Sequence, residues 1–423
     1  MIAAFRDYAP RGTRLLLGSS FLATVPLGYL IVVLPLYLAR AGIEPAVIGS
    51  FYTASGAMTA VLVAFSGVLA DRWGRRRFLI AGTLLPIASY LVFALTTDIP
   101  WLVFASFLGG VGLANGAAGA LTISSFDALL ADNTTEATRT KVFASSQALW
   151  SLALAFGSLS AGAPELIRSL APALGEIGAY RPPYVAMALL TLCAGLVLIP
   201  IRDDPEVHRA RVAAGWWPRR SRQAIATYSV AIGFLGFGLG IAVQLLPLRF
   251  NLRFGVNEAD LGPWYAAGQF ASLGTLVLVP YLERRLGGPN TVLVSLCTSA
   301  LCLALIVIAP VFTVAATLHL VRSFVTNVSW PFHQSLLMTA TVPEERATAV
   351  GTGFAVWGTT NALGPLAGGA LIGSGMFATP LLIGAVMYVC GGLVFGIGFR
   401  RILAKRAAQG REALVAVGGD GAP

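Results

Sequence analysis

Few residues in this chain can do chemistry inside an apolar segment, and several of those fall in one register. His319, Arg322, Thr326, Ser329 and His333 recur at intervals of three and four, which sets them on one face of a helix. Arginine is a permanent cation with N–H donors and no acceptor. Placed inside an apolar run, such a group is costly and is a functional candidate by default. Arg322 and His319 are therefore the leading solute contacts, with Asn327, Trp330 and Gln334 on the adjoining stripe. Asn115, Gln147, Trp150, Gln244, Trp357 and Asn361 are further lining candidates in other apolar runs. Each competes with a structural role, because polar groups also join helices to one another.

The acidic residues narrow the chemistry. All 19 Asp and Glu fall in connections or at the ends of apolar runs. A buried arginine without a buried carboxylate repels cations, which favours a neutral or anionic organic solute. Proton coupling then falls to His319, His333 or acidic residues near the ends of the runs. The sequence carries no phosphate-cradling glycine loop with its lysine, no dinucleotide fingerprint between a strand and a helix, and no H-E-x-x-H, so known enzyme motifs are absent. Cys193, Cys297, Cys302 and Cys390 all lie in apolar runs, where they behave as small buried residues. Neither a disulfide framework, a metal site nor a cofactor is indicated.

The elements that must position these residues are membrane helices. Of the 423 residues, 56% are hydrophobic and 11% charged, against roughly 25% charged in soluble domains. A membrane helix needs about 20 apolar residues, and twelve runs fit. They extend over Leu15–Leu38, Val47–Ala70, Phe78–Leu95, Trp101–Ile123, Phe143–Ala161, Tyr184–Ile201, Ile225–Leu248, Leu261–Leu282, Thr291–Ala309, Val311–Met338, Ala347–Ile372 and Phe377–Phe399. The first run exceeds a signal-peptide core and is read as an uncleaved span.

The net charge of +10 follows the connections and raises no case for nucleic acid. Most Lys and Arg residues fall on one side of the membrane if the sides alternate, while the other side holds only Arg40, Arg168, Arg181, Arg249 and Arg253. Positive residues mark the cytoplasmic side. Both termini are expected there, in a multi-pass cytoplasmic (inner) membrane protein.

The chain also repeats. Leu34-Pro35-Leu36 returns as Leu246-Pro247-Leu248, Gly49 and Tyr52 match Gly262 and Tyr265, and Arg72-Trp73-Gly74 matches Arg285-Leu286-Gly287. Arg139, Gly157 and Gly162 match Arg346, Gly364 and Gly369. This is a duplicated six-helix unit. It divides the chain into a bundle over 1–201, a linker over 202–222, a second bundle over 223–400 and a tail over 401–423. Such halves place a solute site between them near the midplane.

Between the second and third runs stands Gly67-Val68-Leu69-Ala70-Asp71-Arg72-Trp73-Gly74-Arg75-Arg76-Arg77. At this point the chain resembles the major facilitator superfamily, whose signature is G-x-L-a-D-r-x-G-r-[rk]. The resemblance implies an all-α fold of twelve transmembrane helices in two pseudo-symmetric six-helix bundles, usually monomeric, working by alternating access on a small solute, with protons as candidate coupling ions. It implies gating roles for Gly67, Asp71, Arg72, Gly74, Arg75 and Arg76, with Asp127 as the acidic partner of Arg75. The matching segment of the second half has Arg284 in place of the aspartate.

The run Gly364-Pro365-Leu366-Ala367-Gly368-Gly369 resembles an exporter motif of that family, although it stands in the eleventh span and the fifth lacks the proline. Gly364, Pro365 and Gly368, like Gly112 and Gly116 in the fourth span, are also expected to serve helix packing. The expected activity is efflux of a neutral or anionic solute. An importer or facilitator of sugars or organic anions, and a non-transporting sensor of the same fold, are the alternatives.

Overall fold

A computed structural model describes residues 9–112, 115–201, 221–342 and 345–419, apart from the side chains at 64, 67, 68, 71, 72, 124, 136, 137, 140, 276, 277, 347 and 405–419. The expected linker falls almost wholly outside these residues. The described residues form helices and no strand.

The helices string into twelve successive spans. The first six are Arg11–Arg40, Pro45–Trp73, Arg75–Leu84 with Pro86–Leu95, Ile99–Leu108 with Gly116–Asp132, Glu136–Leu159, and Arg181–Leu198. The second six are Arg222–Ala242 with Leu246–Phe254, Glu258–Leu273 with Thr275–Leu286, Gly288–Ile308, Phe312–Ala340, Arg346–Gly373, and Thr379–Gly419. Among the described residues 8 helices are long and apolar enough to cross a membrane, or 9 if the bent eighth span counts as one. The fourth, tenth and eleventh fall short. One is broken, and the other two carry the polar and glycine residues singled out above.

Packing repeats with the sequence. The first span lies against the fifth, the second against the fourth and the third against the sixth. Correspondingly, the seventh lies against the eleventh, the eighth against the tenth and the ninth against the twelfth. The halves meet where the second span touches the eleventh and the fifth touches the eighth, the two contacts that a two-fold relation exchanges.

Glycine makes this seam possible, because small residues let backbones approach. A Cβ on Gly49 would lie 2.2 Å from the Pro365 carbonyl oxygen, one on Gly369 2.3 Å from that of Pro45, and one on Gly262 2.5 Å from that of Ser158. Thr53 Oγ1 donates to the Ala362 carbonyl at 2.6 Å. These contacts cluster toward the face carrying residues 41–44 and 374–378, termed the distal face. Toward the opposite, basic face, Val61 and Phe65 on the second span are each 59% exposed. Within the second half, Gly364 and Gly368 press on the backbone of Ile241, where a Cβ would come to 2.4 Å and 2.6 Å.

The fourth span departs from the continuous helix expected. Gly110, Gly112 and Gly116 adopt positive φ of 71°, 63° and 59°, and Asn115 is left-handed at 60°. The helix therefore stops at Leu108 and restarts at Gly116. Gly112 and Gly116 combine close packing, a Cβ on Gly112 meeting Tyr52 at 3.0 Å, with a positive φ at the break, which glycine permits because it lacks a Cβ. Gly116→Ala is expected to lower stability by about 1–3 kcal/mol, the cost of forcing a side chain into this backbone region. A Cβ there would also meet the Phe107 carbonyl oxygen at 2.7 Å. A reduced apparent melting temperature in detergent checks it.

Candidate functional site between the halves

Arg322 sits ten residues into the tenth span, about 15 Å along a helix that rises 1.5 Å per residue. That depth is near the centre of a bilayer core about 30 Å thick. Its side chain is buried, 4% exposed. Nη1 lies 3.3 Å from the Tyr388 hydroxyl, whereas Nε has no partner. No acidic residue pairs with it among the described residues. The local backbone is held by Thr326 Oγ1, which donates to the Arg322 carbonyl at 2.8 Å and lies 2.8 Å from Ser299 Oγ. One turn toward the distal face, His319 packs its ring 5.1 Å from that of Tyr265 and leaves Nδ1 without a partner. Tyr265 lies within range of the Arg322 charge, and its buried hydroxyl is likewise unpartnered.

The first half completes the arrangement with aromatic hydroxyls. Tyr52 on the second span is close enough to Tyr265 to interact electrostatically. Tyr184 neighbours Tyr52 in the same sense, and its ring lies 6.1 Å from that of Tyr29. The hydroxyls of Tyr29, Tyr52 and Tyr184 are buried without partners. A buried polar atom left unsatisfied costs free energy, so native chains rarely keep several together. A strip of them running from the first half across the seam to a buried cation is the candidate site.

Over this strip, toward the distal face, a latch joins the halves. Glu258 opens the eighth span and is 0% exposed. It accepts a hydrogen bond from the Tyr180 hydroxyl. Arg40 Nη2 lies 3.0 Å from its other oxygen, as a charge contact without hydrogen-bond alignment. Burial, and then the neighbouring carboxylate, hold the Tyr180 hydroxyl far above the ordinary phenol range, so it remains a donor. The turn carrying Glu258 is fixed by a capping box in which Asn257 and Asp260 exchange bonds of 3.1 Å and 2.9 Å. Arg168 holds Glu165 and Glu176 at 2.6 Å and 2.7 Å beside it.

Several sequence candidates hold other parts of the fold, although Gln244 also brings its Oε1 to Gly112 beside Tyr52 at the seam. Gln244 donates to Asn361 Oδ1 at 2.7 Å, and Asn361 donates to the Gly236 carbonyl at 3.2 Å. This pair pins the seventh span to the eleventh. Asn115 turns its Oδ1 back to the Gly110 N–H at 2.6 Å, closing the break in the fourth span. Trp330 stacks edge-on with Trp357 at 6.4 Å and with His333 at 5.9 Å, and Asn327 is half-buried on the same span. Gln147 and Trp150 are exposed on the fifth span.

On the basic face, Gly74 ends the second span at φ 99°, and Arg76 donates to the Ile199 carbonyl. The expected pairing of Arg75 with Asp127 does not form. Arg75 instead lies 2.9 Å from Asp132, at the last turn of the same helix, and Asp127 is exposed. The physical reason is reach: Arg75 begins the third span at the membrane edge, level with the end of the fourth rather than one turn inside it. The side chains of Gly67, Asp71 and Arg72 lie outside the described residues.

The profile of the Major Facilitator Superfamily matches residues 16–342. Multidrug resistance protein 2 of Bacillus subtilis is 22% identical over 297 residues, 68% of this chain and 70% of that one. Among solved structures, the nucleoside transporter NupG superposes with a TM-score of 0.67 at 15% identity, covering 92% of this chain and 99% of that one. The human organic anion transporter MFSD10 superposes with a TM-score of 0.62 at 17% identity, covering 91% and 99%.

Proposed function

This chain belongs to the Major Facilitator Superfamily, whose members move small solutes across membranes rather than act as enzymes, and on that premise we propose that it exports a neutral or anionic organic solute by alternating access. The observation that carries this reading is the strip of buried, unpartnered polar atoms crossing the seam, with Arg322 at its second-half end and the Glu258 carboxylate of the latch adjoining it at Tyr29. A site split between two halves is uncovered whenever the halves part, and the latch and glycine contacts lie on one side of it.

The basic face is the cytoplasmic one on this reading, with both termini there and the membrane a bacterial-type inner membrane. The distal face is then external, and its sealing corresponds to access from the cytoplasm. Export draws support from the Bacillus multidrug resistance relative, and an anionic solute from the organic anion transporter of like fold. Protons are the proposed coupling ion, and the monomer the working unit.

The test is flux in proteoliposomes loaded with neutral, anionic and cationic compounds, with and without an imposed proton gradient. Movement of a neutral or anionic compound, driven by the gradient, is the expected result. Movement of cations alone contradicts it, and saturable binding with no flux of any compound favours a sensor.

A further inference from the structure

The polar strip contains more than a general affinity for neutral or anionic compounds. It carries one cation, and its Nη1 is already engaged by the Tyr388 hydroxyl. The edge that remains open bears Nε, and within electrostatic range of that charge stand His319 and Tyr265, their rings 5.1 Å apart and their Nδ1 and hydroxyl both unpartnered. A guanidinium edge is planar and matches the two oxygens of a carboxylate. The other buried arginines among the described residues are engaged elsewhere, Arg75 with Asp132 and Arg249 with the Phe377 carbonyl, so a dianion would keep one charge uncompensated in an apolar setting. A neutral ligand would leave Arg322 itself uncompensated. The charge count therefore selects a monoanion, and the planar edge suits the two oxygens of a carboxylate.

The remainder of the ligand meets the first half. There the hydroxyls of Tyr52, Tyr184 and Tyr29 are unpartnered, and their rings offer flat apolar faces that suit an aromatic body. Resting on the transport reading above, we propose that the site takes an aromatic monocarboxylate, its carboxylate on the Arg322 Nε edge with Tyr265 and His319, and its ring against Tyr52 and Tyr184. Binding then draws on both halves, so the ligand bridges the seam that alternating access must open.

The test uses purified full-length protein in detergent, titrated calorimetrically with benzoate and with its neutral isostere benzamide. Benzoate is expected to bind saturably and at least about tenfold more tightly than benzamide, as loss of a charge-assisted hydrogen bond implies. Arg322→Gln is expected to abolish that preference. Tyr52→Phe, which removes one hydroxyl and keeps the ring, is expected to weaken benzoate by roughly three- to tenfold and serves if Arg322→Gln fails to fold. Absence of saturable benzoate binding to the native protein, equal binding of benzamide, or an unchanged preference in Arg322→Gln would each overturn the proposal. No membrane barrier is involved, so benzoate binding without flux counts against the transport reading alone. Flux of neutral compounds without benzoate binding counts against the carboxylate assignment alone.

Discussion

Replacing Arg40 by alanine is expected to open the distal face. Glu258 is wholly buried and belongs to the second half, whereas its partners Arg40 and Tyr180 belong to the first. Removing one partner of a buried ion pair costs about 3–5 kcal/mol, because the other charge is left uncompensated. Arg40 is 23% exposed, so the lower end of that range applies. This cost falls only on the arrangement in which the halves touch, since parting them returns Glu258 to water. At 1.4 kcal/mol per tenfold, about 3 kcal/mol shifts the equilibrium roughly 100-fold toward the open distal face.

The readout is reaction of a cysteine placed at Tyr29 with a membrane-impermeant thiol reagent applied from the distal side. Labelling at least tenfold faster in Arg40→Ala than in the Arg40 background is the expected outcome. Equal rates, with the fold intact, would show that the latch does not hold the halves together.

The second large effect concerns the glycine seam. Gly49→Ala places a methyl carbon 2.2 Å from the Pro365 carbonyl oxygen, a distance that backbone atoms cannot accommodate without separating the second and eleventh spans. Overpacking of this kind costs about 1–3 kcal/mol, again only in the sealed arrangement. Gly351→Ala on the same eleventh span meets nothing within 4 Å. There the substitution removes a poor helix former and is expected to stabilise by a few tenths to about 1 kcal/mol. The same chemical change thus has opposite signs at two positions. Melting temperatures and distal thiol accessibility of the two variants measure the contrast. Equal effects at both positions would contradict the seam geometry.

Much of this architecture is legible in the sequence because hydropathy and repetition act over long stretches. Twelve runs and the duplicated unit follow from apolar length and from matched residues such as Gly49 with Gly262. Both of those glycines turn out to sit on the seam, one against Pro365 and the other against Ser158. The matched pair Tyr52 and Tyr265 likewise approach one another across it. Register relations survive the step from sequence to structure when the two-fold relation acts on them directly.

What escapes the sequence depends on tertiary contact. Glu258 reads as one more carboxylate at a span end, and only the approach of Arg40 and Tyr180 from the other half buries it. The Asn257–Asp260 capping box marks the start of that helix and so offers a signal, because it puts Glu258 in the first turn. Tyr29, Tyr52 and Tyr184 lie in apolar runs like other tyrosines of the chain, and a hydroxyl's lack of a partner is visible only in three dimensions. The break in the fourth span is hidden for another reason: glycines that pack helices and glycines that interrupt them look alike in a row of letters.

The central claim is that the two halves separate at the distal face to uncover the strip between them. Its most direct test is a distance distribution between spin labels at Glu44 and Ser374, both exposed on that face at the ends of the second and eleventh spans. The native protein is expected to show a short distance together with a longer population, and Arg40→Ala to transfer most of the signal to the longer one. A single distance, unchanged by Arg40→Ala and by any solute that the protein binds, would contradict alternating access in this chain.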